Sequence, residues 1–291
     1  MSSYKSDGKV GPWAKEKLDS LAAYLHAFTK VFKNQDWCKG TIYIDAFAGS
    51  GISQLRQNGD PNQGVLSDEF EEQETYFSGS AKVALEISEK FDEYYFIEKD
   101  VARVKALQDI VKDLGMEERV RILRGDSSEE IIKILNDPKY NWRKYKGVVF
   151  LDPFAMQVEW KTIEQIAKTK SLEIILNFPV GMAIQRTLPR KFELADKQAL
   201  KDYFGTEDWI DIVYEKKEDM FGESIEKRDD ADRRLALWYK ERLEKEFGFS
   251  SSPRLIRNTK NRPIYYLLWA GTHKKGKEIL SHIFKQGEIV R

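Results

Sequence analysis

The chain is poor in the residues that build cross-linked or metal-held scaffolds. Cys38 is its single cysteine, which excludes an internal disulfide framework and any cysteine-rich metal site. Three histidines, at 26, 273 and 282, are too scattered to read as a zinc site, so no metal is expected. An excess of charge of one sign is lacking too. The 48 Lys and Arg balance the 48 Asp and Glu, so a globally basic nucleic-acid binder is not indicated, although local patches can still meet phosphates. No apolar run is long enough to cross a bilayer, and the opening "MSSYKSDGKVGPW" has no apolar signal core. The expectation is a cytoplasmic protein in a reducing compartment, with no membrane partner. Repeats and low-complexity tracts are absent as well.

What is present is a chain of 291 residues, 41% hydrophobic and 33% charged, enough for a substantial core under a heavily solvated surface. Residues 12–33 carry Leu18, Leu21, Leu25, Phe28 and Phe32 at helical spacing, with Pro12 suited to a first turn. From residue 41 strands and helices alternate. "TIYIDAF" (41–47), "YYFIE" (94–98), "RVRILRGD" (119–126), "GVVFLD" (147–152) and "LEIILNFP" (172–179) read as strands. Residues 80–91, with Ser80 as N-cap, 100–114, "SSEEIIKILND" and "EWKTIEQIAKTK" read as the helices between them. This alternation predicts an α/β fold with a doubly wound, mainly parallel sheet covered on both faces. "PRLIRN" (253–258) and "PIYYLLWAGTH" (263–273) read as a C-terminal antiparallel hairpin. Residues 181–249 are charged and mostly helical, with a clear stripe over 233–248, and read as a helical cap or substrate-facing insertion. The expected organisation is an N-terminal helical segment (1–40), a main domain (41–180 and 250–291) and that insertion.

The chemistry collects where strands end, since ligands of open α/β sheets sit at the carboxyl edge. "DAFAGSG" places Asp45, Phe47, Ala48, Gly49, Ser50 and Gly51 after the first strand. Glu98, followed by Lys99, ends the second, where a carboxylate can accept both ribose hydroxyls. A dinucleotide fits less well: position 54 is Gln where the fingerprint needs a third glycine, and residues 52–78 intervene before the next helix. S-adenosylmethionine (SAM) needs no phosphate cradle. It needs room for a methionine moiety and an acid for its ammonium, a role open to Asp45. On this reading a side chain at Gly51 would fill cofactor space. Gly79 and Ser80 rejoin the loop after the insertion. Asp126 either accepts from the adenine amine or, with Ser127, merely starts the next helix. Asp152, Pro153 and Phe154 end the fourth strand and Asn177 the fifth.

An exocyclic base amine is a poor nucleophile, because its lone pair is delocalised. Hydrogen bonds from its protons to the Asp152 carboxylate and the Pro153 carbonyl would free that pair, and Phe154 offers a stacking face. Arg186, Arg190, Arg257, Lys260 and Arg262 are expected on the same edge, as a basic rim for phosphates or as ordinary solvated charges. The basic stretch 137–146 and Lys274, Lys275 and Lys277 belong to the opposite edge.

"DAFAGSG", "FIEKD", "GD" and "DPF" resemble the motifs of class I SAM-dependent methyltransferases. The closer resemblance is to the three-Cys-motif partner protein family, through "GPWAKEKL", "YIDAFAGSG", "FSGSAKVAL", "FLDPFA", "ILNFP", "YFG…W" (203–209) and "YYLLWAGTHKKGKEI". It implies a Rossmann-like methyltransferase fold, SAM as cofactor and a partner carrying a Cys motif. The "LDPF" tetrad is similar to that of tRNA guanine-N2 methyltransferases, which implies an amine acceptor on a nucleobase. Trp13 and Lys17 either close over the cofactor, as N-terminal segments do in similar enzymes, or are a core Trp and a surface Lys. Three functions stay open: a nucleic-acid amine methyltransferase, a methyltransferase of a small molecule or peptide made with the partner, and a non-catalytic subunit.

Overall fold

The five predicted strands lie side by side in one sheet, with the third of them at its edge, and their spatial order explains where a ligand fits. The computed structural model of the chain describes residues 9–10, 12–55, 76–180, 184, 187–190, 197–219, 222–258, 260–285 and 287–290. In chain order the strands are β1 (Lys9–Val10), β2 (Gly40–Asp45), β3 (Ile52–Leu55), β4 (Tyr76–Ser78), β5 (Glu93–Glu98), β6 (Val120–Arg124), β7 (Tyr145–Leu151), β8 (Leu172–Phe178), β9 (Tyr214–Asp219), β10 (Gly222–Lys227), β11 (Phe249–Ser250), β12 (Arg254–Arg257), β13 (Pro263–Gly271) and β14 (Glu288–Ile289). The helices are α1 (Pro12–Phe32), α2 (Ser80–Glu86), α3 (Val101–Asp113), α4 (Ser127–Leu135), α5 (Trp160–Lys168), α6 (Lys197–Phe204), α7 (Trp209–Val213), α8 (Ala231–Phe247) and α9 (Lys274–Phe284).

The main sheet runs β14-β12-β13-β8-β7-β2-β5-β6, with β11 also paired to β13. Strands β6, β5, β2, β7 and β8 are parallel, whereas β13 is antiparallel to both β8 and β12. From β2 the chain builds outward through β5 and β6, then returns to the other side of β2 as β7. The topological switch point therefore lies between β2 and β7, and their carboxyl ends open the crevice. Both faces are covered. Helices α1, α2, α3 and α9 share one core with Tyr43, Phe96 and Ile175, and helices α4 to α8 share the other with Ile44, Val149 and Leu176. Burial on both sides is why β7 and β8 read as unbroken apolar runs.

Several boundaries move for physical reasons. Helix α2 stops at Glu86, not at residue 91, and Phe91 instead joins an aromatic cluster with Phe28, Tyr43 and Tyr94. Residues 181–249 are not only helical. They contain the hairpin β9–β10, whose charged cross-strand pairs such as Lys217 and Glu226 (3.8 Å) hide a strand signal. Leu235, Tyr239, Leu243 and Phe247 of α8 belong to the main core, so α8 serves the sheet rather than standing apart as insertion. The insertion after Gly51 contributes β3 and β4, which join β1 in a minor sheet of order β1-β3-β4. Among the described residues, no helix is long and apolar enough to cross a membrane.

Helix α1 lies over the first face on a polar seam. Glu16 and Ser20 bond the buried Arg254 guanidinium, the latter at 2.9 Å, Lys17 bonds Asp152, and Tyr24 bonds Glu173. These positions recur at helical spacing, so one stripe of the helix meets polar groups on β12, β7 and β8.

Candidate active site

Asp45 ends β2 in register with Phe150 of β7, two residues before Asp152, so the switch point brings the two acids to one crevice. Asp45 is fully buried. Its Oδ1 accepts from the Phe47 amide at 3.3 Å, its Oδ2 from the Tyr43 hydroxyl at 3.3 Å, and Ser80 also donates to it. Burial pushes the carboxyl up to about 7, against the bonds from Ser80 and the Phe47 amide, and the nearby Asp152 charge pushes the same way. Asp45 thus braces the loop from inside. Ser80 is not the side-chain cap of α2: Gly79 holds that place, and the Ser80 hydroxyl is spent on Asp45.

The glycines have two distinct duties. Gly49 and Gly51 adopt φ of +64° and +77°, a region other residues enter at a cost. A Cβ on Gly51 would lie 2.8 Å from Ile110 Cδ1 and 3.3 Å from Leu107 Cδ2. A side chain there meets helix α3, a packing reason for that glycine that stands beside the expected need for cofactor space. Gly79 donates to the Gly51 carbonyl at 2.8 Å, and its own Cβ would lie 2.9 Å from the Gly51 backbone. The residues on either side of the long insertion therefore close on each other, with Ala48 and Ser50 buried between.

Glu98 ends β5, and only 9% of it is exposed. Its Oε1 accepts from the amides of Lys99 (2.7 Å) and Asp100 (2.8 Å), while Arg103 lies 3.8 Å from Oε2. A carboxylate has about four acceptor sites, so this anchoring leaves capacity for hydroxyl donors. Asp126 caps α4 through the Ser128 amide (3.0 Å) and meets the exposed Lys99 at 3.1 Å. Burial alone would raise its pKa; the Lys99 and amide bonds outweigh that and lower it. Its capping role is therefore real, and Ser127 is the buried first residue of the helix.

Asp152 is bonded by a side chain on each oxygen. Its Oδ1 accepts from Asn177 Nδ2 at 2.5 Å, and its Oδ2 bonds the Lys17 ammonium. Lys17 also sits 5.6 Å above the Tyr265 ring. The buried Asn177 Oδ1 has no hydrogen-bond partner among the described residues. Pro153 is buried, and Phe154 is 72% exposed, a large apolar ring left facing solvent beside the acid. Sequence reasoning weighed Lys17 without assigning it to Asp152, and it missed Tyr265. The only signal was register: Tyr266 pairs with Phe178, which brings Tyr265 beside the end of β8.

The expected basic rim divides. Arg257 makes a two-point bond to Glu288, at 2.7 and 2.8 Å, so its charge is already matched at the sheet edge. Lys260 and Arg262 are exposed in the β12–β13 turn, which lies at the carboxyl edge as expected. Arg190 is exposed at a cavity of about 360 Å³ that follows β8 and also includes Lys227 and Arg228, two cations the sequence reading did not name. Arg186 lies outside the described residues.

No curated protein matches the chain. A family model described as "Conserved hypothetical protein 95" matches residues 66–203. Among solved structures, the chain is similar to protein LPL1258 from Legionella pneumophila str. Philadelphia 1, at 13% identity over 92% of this chain and 91% of that one, with a TM-score of 0.47. It is also similar to the N-terminal domain of EvdMO1 with SAH bound, at 10% identity over 87% and 81%, TM-score 0.39. A methyltransferase from Geobacter sulfurreducens is similar at 10% identity over 71% and 77%, TM-score 0.32.

Proposed function

We propose that the chain is a SAM-dependent methyltransferase acting on an exocyclic amine of a nucleobase. The carrying observation is the hydrogen-bonding of Asp152: an amide donor on Oδ1 and an ammonium on Oδ2, at the switch-point crevice, beside an exposed aromatic ring. The Lys17 ammonium stands where a substrate amine would donate.

The loop residues fit the cofactor. Asp45 and the Gly51–Gly79 contact form a tight turn at the end of β2, and Glu98 keeps acceptor sites for a ribose diol. Among the described residues the donors to the Asp45 carboxyl are neutral, so a ligand ammonium near the loop would complement its charge. When bound, SAM supplies an electrophilic methyl group. Asp152 accepts a hydrogen bond from the acceptor amine and takes its proton at Oδ2 as the nitrogen gains positive charge. Asn177 fixes the carboxylate's orientation, and the Pro153 carbonyl offers the amine a second acceptor. Phe154 stacks the base and holds the amine in line, so positioning supplies most of the rate. Arg190, Lys260 and Arg262 meet phosphates. A duplex base would have to be flipped out to reach Asp152. The resemblance to the three-Cys-motif partner family adds a Cys-motif protein as a companion in this proposal.

The test is transfer of labelled methyl from SAM to DNA, RNA and a mixture of small amines, with Asp152→Ala beside wild type and SAM affinity measured by calorimetry. Wild type labels a nucleic acid, and Asp152→Ala keeps SAM affinity within about threefold while losing at least 100-fold in turnover. Equal turnover removes Asp152 from the mechanism. Label found only in small amines rejects the nucleobase.

A further inference from the structure

At the opposite edge of the sheet, far along β8 from Asn177, lies a second cavity that the methyl-transfer reading leaves unused. It measures about 300 Å³ and opens between α1 and α9, within the size range of small-ligand sites. Its wall is an aromatic row. Trp269 meets Tyr24 edge-on at 6.2 Å, Tyr24 meets Phe28 at 6.5 Å, Phe28 meets Phe32 at 4.8 Å, and Phe32 meets Trp37 edge-on at 6.1 Å. Trp37 is 49% exposed at the rim.

Glu173 lies at the base of this cavity and is only 5% exposed. Both of its described donors, the Tyr24 hydroxyl and Trp269 Nε1 (3.3 Å), bond Oε2. Oε1 has no donor among the described residues, and it lies where a Cβ on Gly276 would come within 3.1 Å of it. The absence of a side chain at Gly276 thus leaves that oxygen uncovered. Among the described residues no cation bonds Glu173. Lys146, whose charge acts on Glu173, is spent on Ser171 Oγ at 2.8 Å and on the face of Trp37 at 5.5 Å. That stacked ammonium also demonstrates that the Trp37 face holds a cation here. Glu173 lines the cavity with one oxygen left for a ligand donor, and the aromatic faces beside it attract cations. His273, Lys274 and Lys275 line the same cavity; the two lysines are exposed and lie within 4.0 Å of Glu278.

We propose that this cavity is a second ligand site, for a primary ammonium carried on an apolar or aromatic body. The ammonium donates to Glu173 Oε1 and the body lies along the Tyr24–Phe28–Phe32 row. The site is separate from the crevice at Asp152 and does not depend on the proposed activity.

The test uses the full chain, with 2-phenylethylammonium as probe and 2-phenylethanol as its neutral counterpart. The indole N–H resonances of Trp37 and Trp269 are followed by NMR. The expected result is saturable movement of both resonances, with the alcohol binding at least tenfold more weakly. Glu173→Gln should cost the ammonium at least tenfold and leave the alcohol unchanged. Trp37→Ala, an exposed rim change that spares the core, should weaken the ammonium several-fold and keeps the test decisive if the Glu173 variant does not fold. Equal affinity of the two probes, no saturable shift, or folded variants that bind the ammonium as wild type does would each overturn the proposal.

Discussion

Replacing Gly51 by alanine separates two reasons for a glycine in this loop: room for a cofactor, or room for helix α3. The backbone at 51 has φ of +77°, which costs an L-residue about 1–2 kcal/mol. The new methyl would lie 2.8 Å from Ile110 Cδ1 and 3.3 Å from Leu107 Cδ2, inside a core where Ile110 is 5% and Leu107 0% exposed. Overpacking of that kind costs roughly 1–3 kcal/mol. The sum is about 2–5 kcal/mol. Ile110→Val deletes the very Cδ1 that makes the closer contact, and alone it should cost about 0.5–1.5 kcal/mol. The double variant should therefore be more stable than the sum of the two losses by about 1–2 kcal/mol, because the closer contact is gone and only the backbone strain and the looser Leu107 contact remain. Urea denaturation of the four proteins, read as midpoints at constant slope, measures this coupling. SAM affinity in the same four proteins should recover in the double variant. Strict additivity, within about 0.5 kcal/mol, would refute the packing argument. It would return Gly51 to the role of clearing cofactor space.

Four further outcomes follow from the site. Asp45→Asn should flatten the pH dependence of stability. A folded-state pKa raised from 3.8 to about 7 favours the native state fully below pH 4 and loses that advantage as pH rises through 7. Wild type should thus lose up to about 4 kcal/mol relative to the Asn variant between pH 4 and 8, and parallel melting curves across that range would exclude an ionising Asp45. Phe154→Ala removes a ring that is 72% exposed, so stability should move by less than about 0.5 kcal/mol. The acceptor's KM should rise by roughly 5- to 100-fold through lost stacking, with Phe154→Trp restoring it; an unchanged KM would remove the base from that face. Lys17→Met vacates the donor position on Asp152 Oδ2, so the acceptor's KM should fall several-fold at constant kcat. A collapse of kcat at constant KM would instead put Lys17 in the transition state. Arg257→Ala should leave nucleic-acid affinity and its salt slope unchanged, since Glu288 already holds that guanidinium, whereas Lys260→Ala should lower the slope by about one.

The parallel sheet was legible because each central strand is buried on both faces and therefore reads as an apolar run. The polar residues at strand ends were legible because they interrupt those runs at one consistent place: Asp45, Glu98, Asp152 and Asn177 all follow apolar stretches. Contacts between distant segments were not. Asp152 and Lys17 are 135 positions apart, and a single lysine on a helical stripe of mixed charge carries no mark of its partner. The hairpin β9–β10 was illegible for a different reason. Its strands are mostly charged, with diagonal ion pairs across them such as Lys217 and Glu226, so the alternation of apolar and polar that announces a half-buried strand is missing.

Glu173 illustrates the remaining gap. In "LEIILNF" it reads as one polar residue near the start of a strand, to be placed at a solvated edge. Strand periodicity instead puts Glu173, Ile175 and Asn177 on one face, the face that α1 covers. Asn177 then meets Asp152 at the carboxyl end, and Glu173 meets Tyr24 at the amino end. On α1, Lys17 and Tyr24 are seven residues apart, about 10 Å along the helix, and each bonds one of these acids. The helix is therefore fastened at two points to a strand pair that carries the proposed catalytic acid at one end and the proposed ammonium site at the other. A ligand whose ammonium binds the other oxygen of Glu173 would act on the acid that holds Tyr24, and so on the same rigid rod that holds Lys17 on Asp152. The acceptor's KM measured with and without 2-phenylethylammonium reads this link directly: a KM that does not respond while the second cavity is saturated would show that α1 transmits nothing between them.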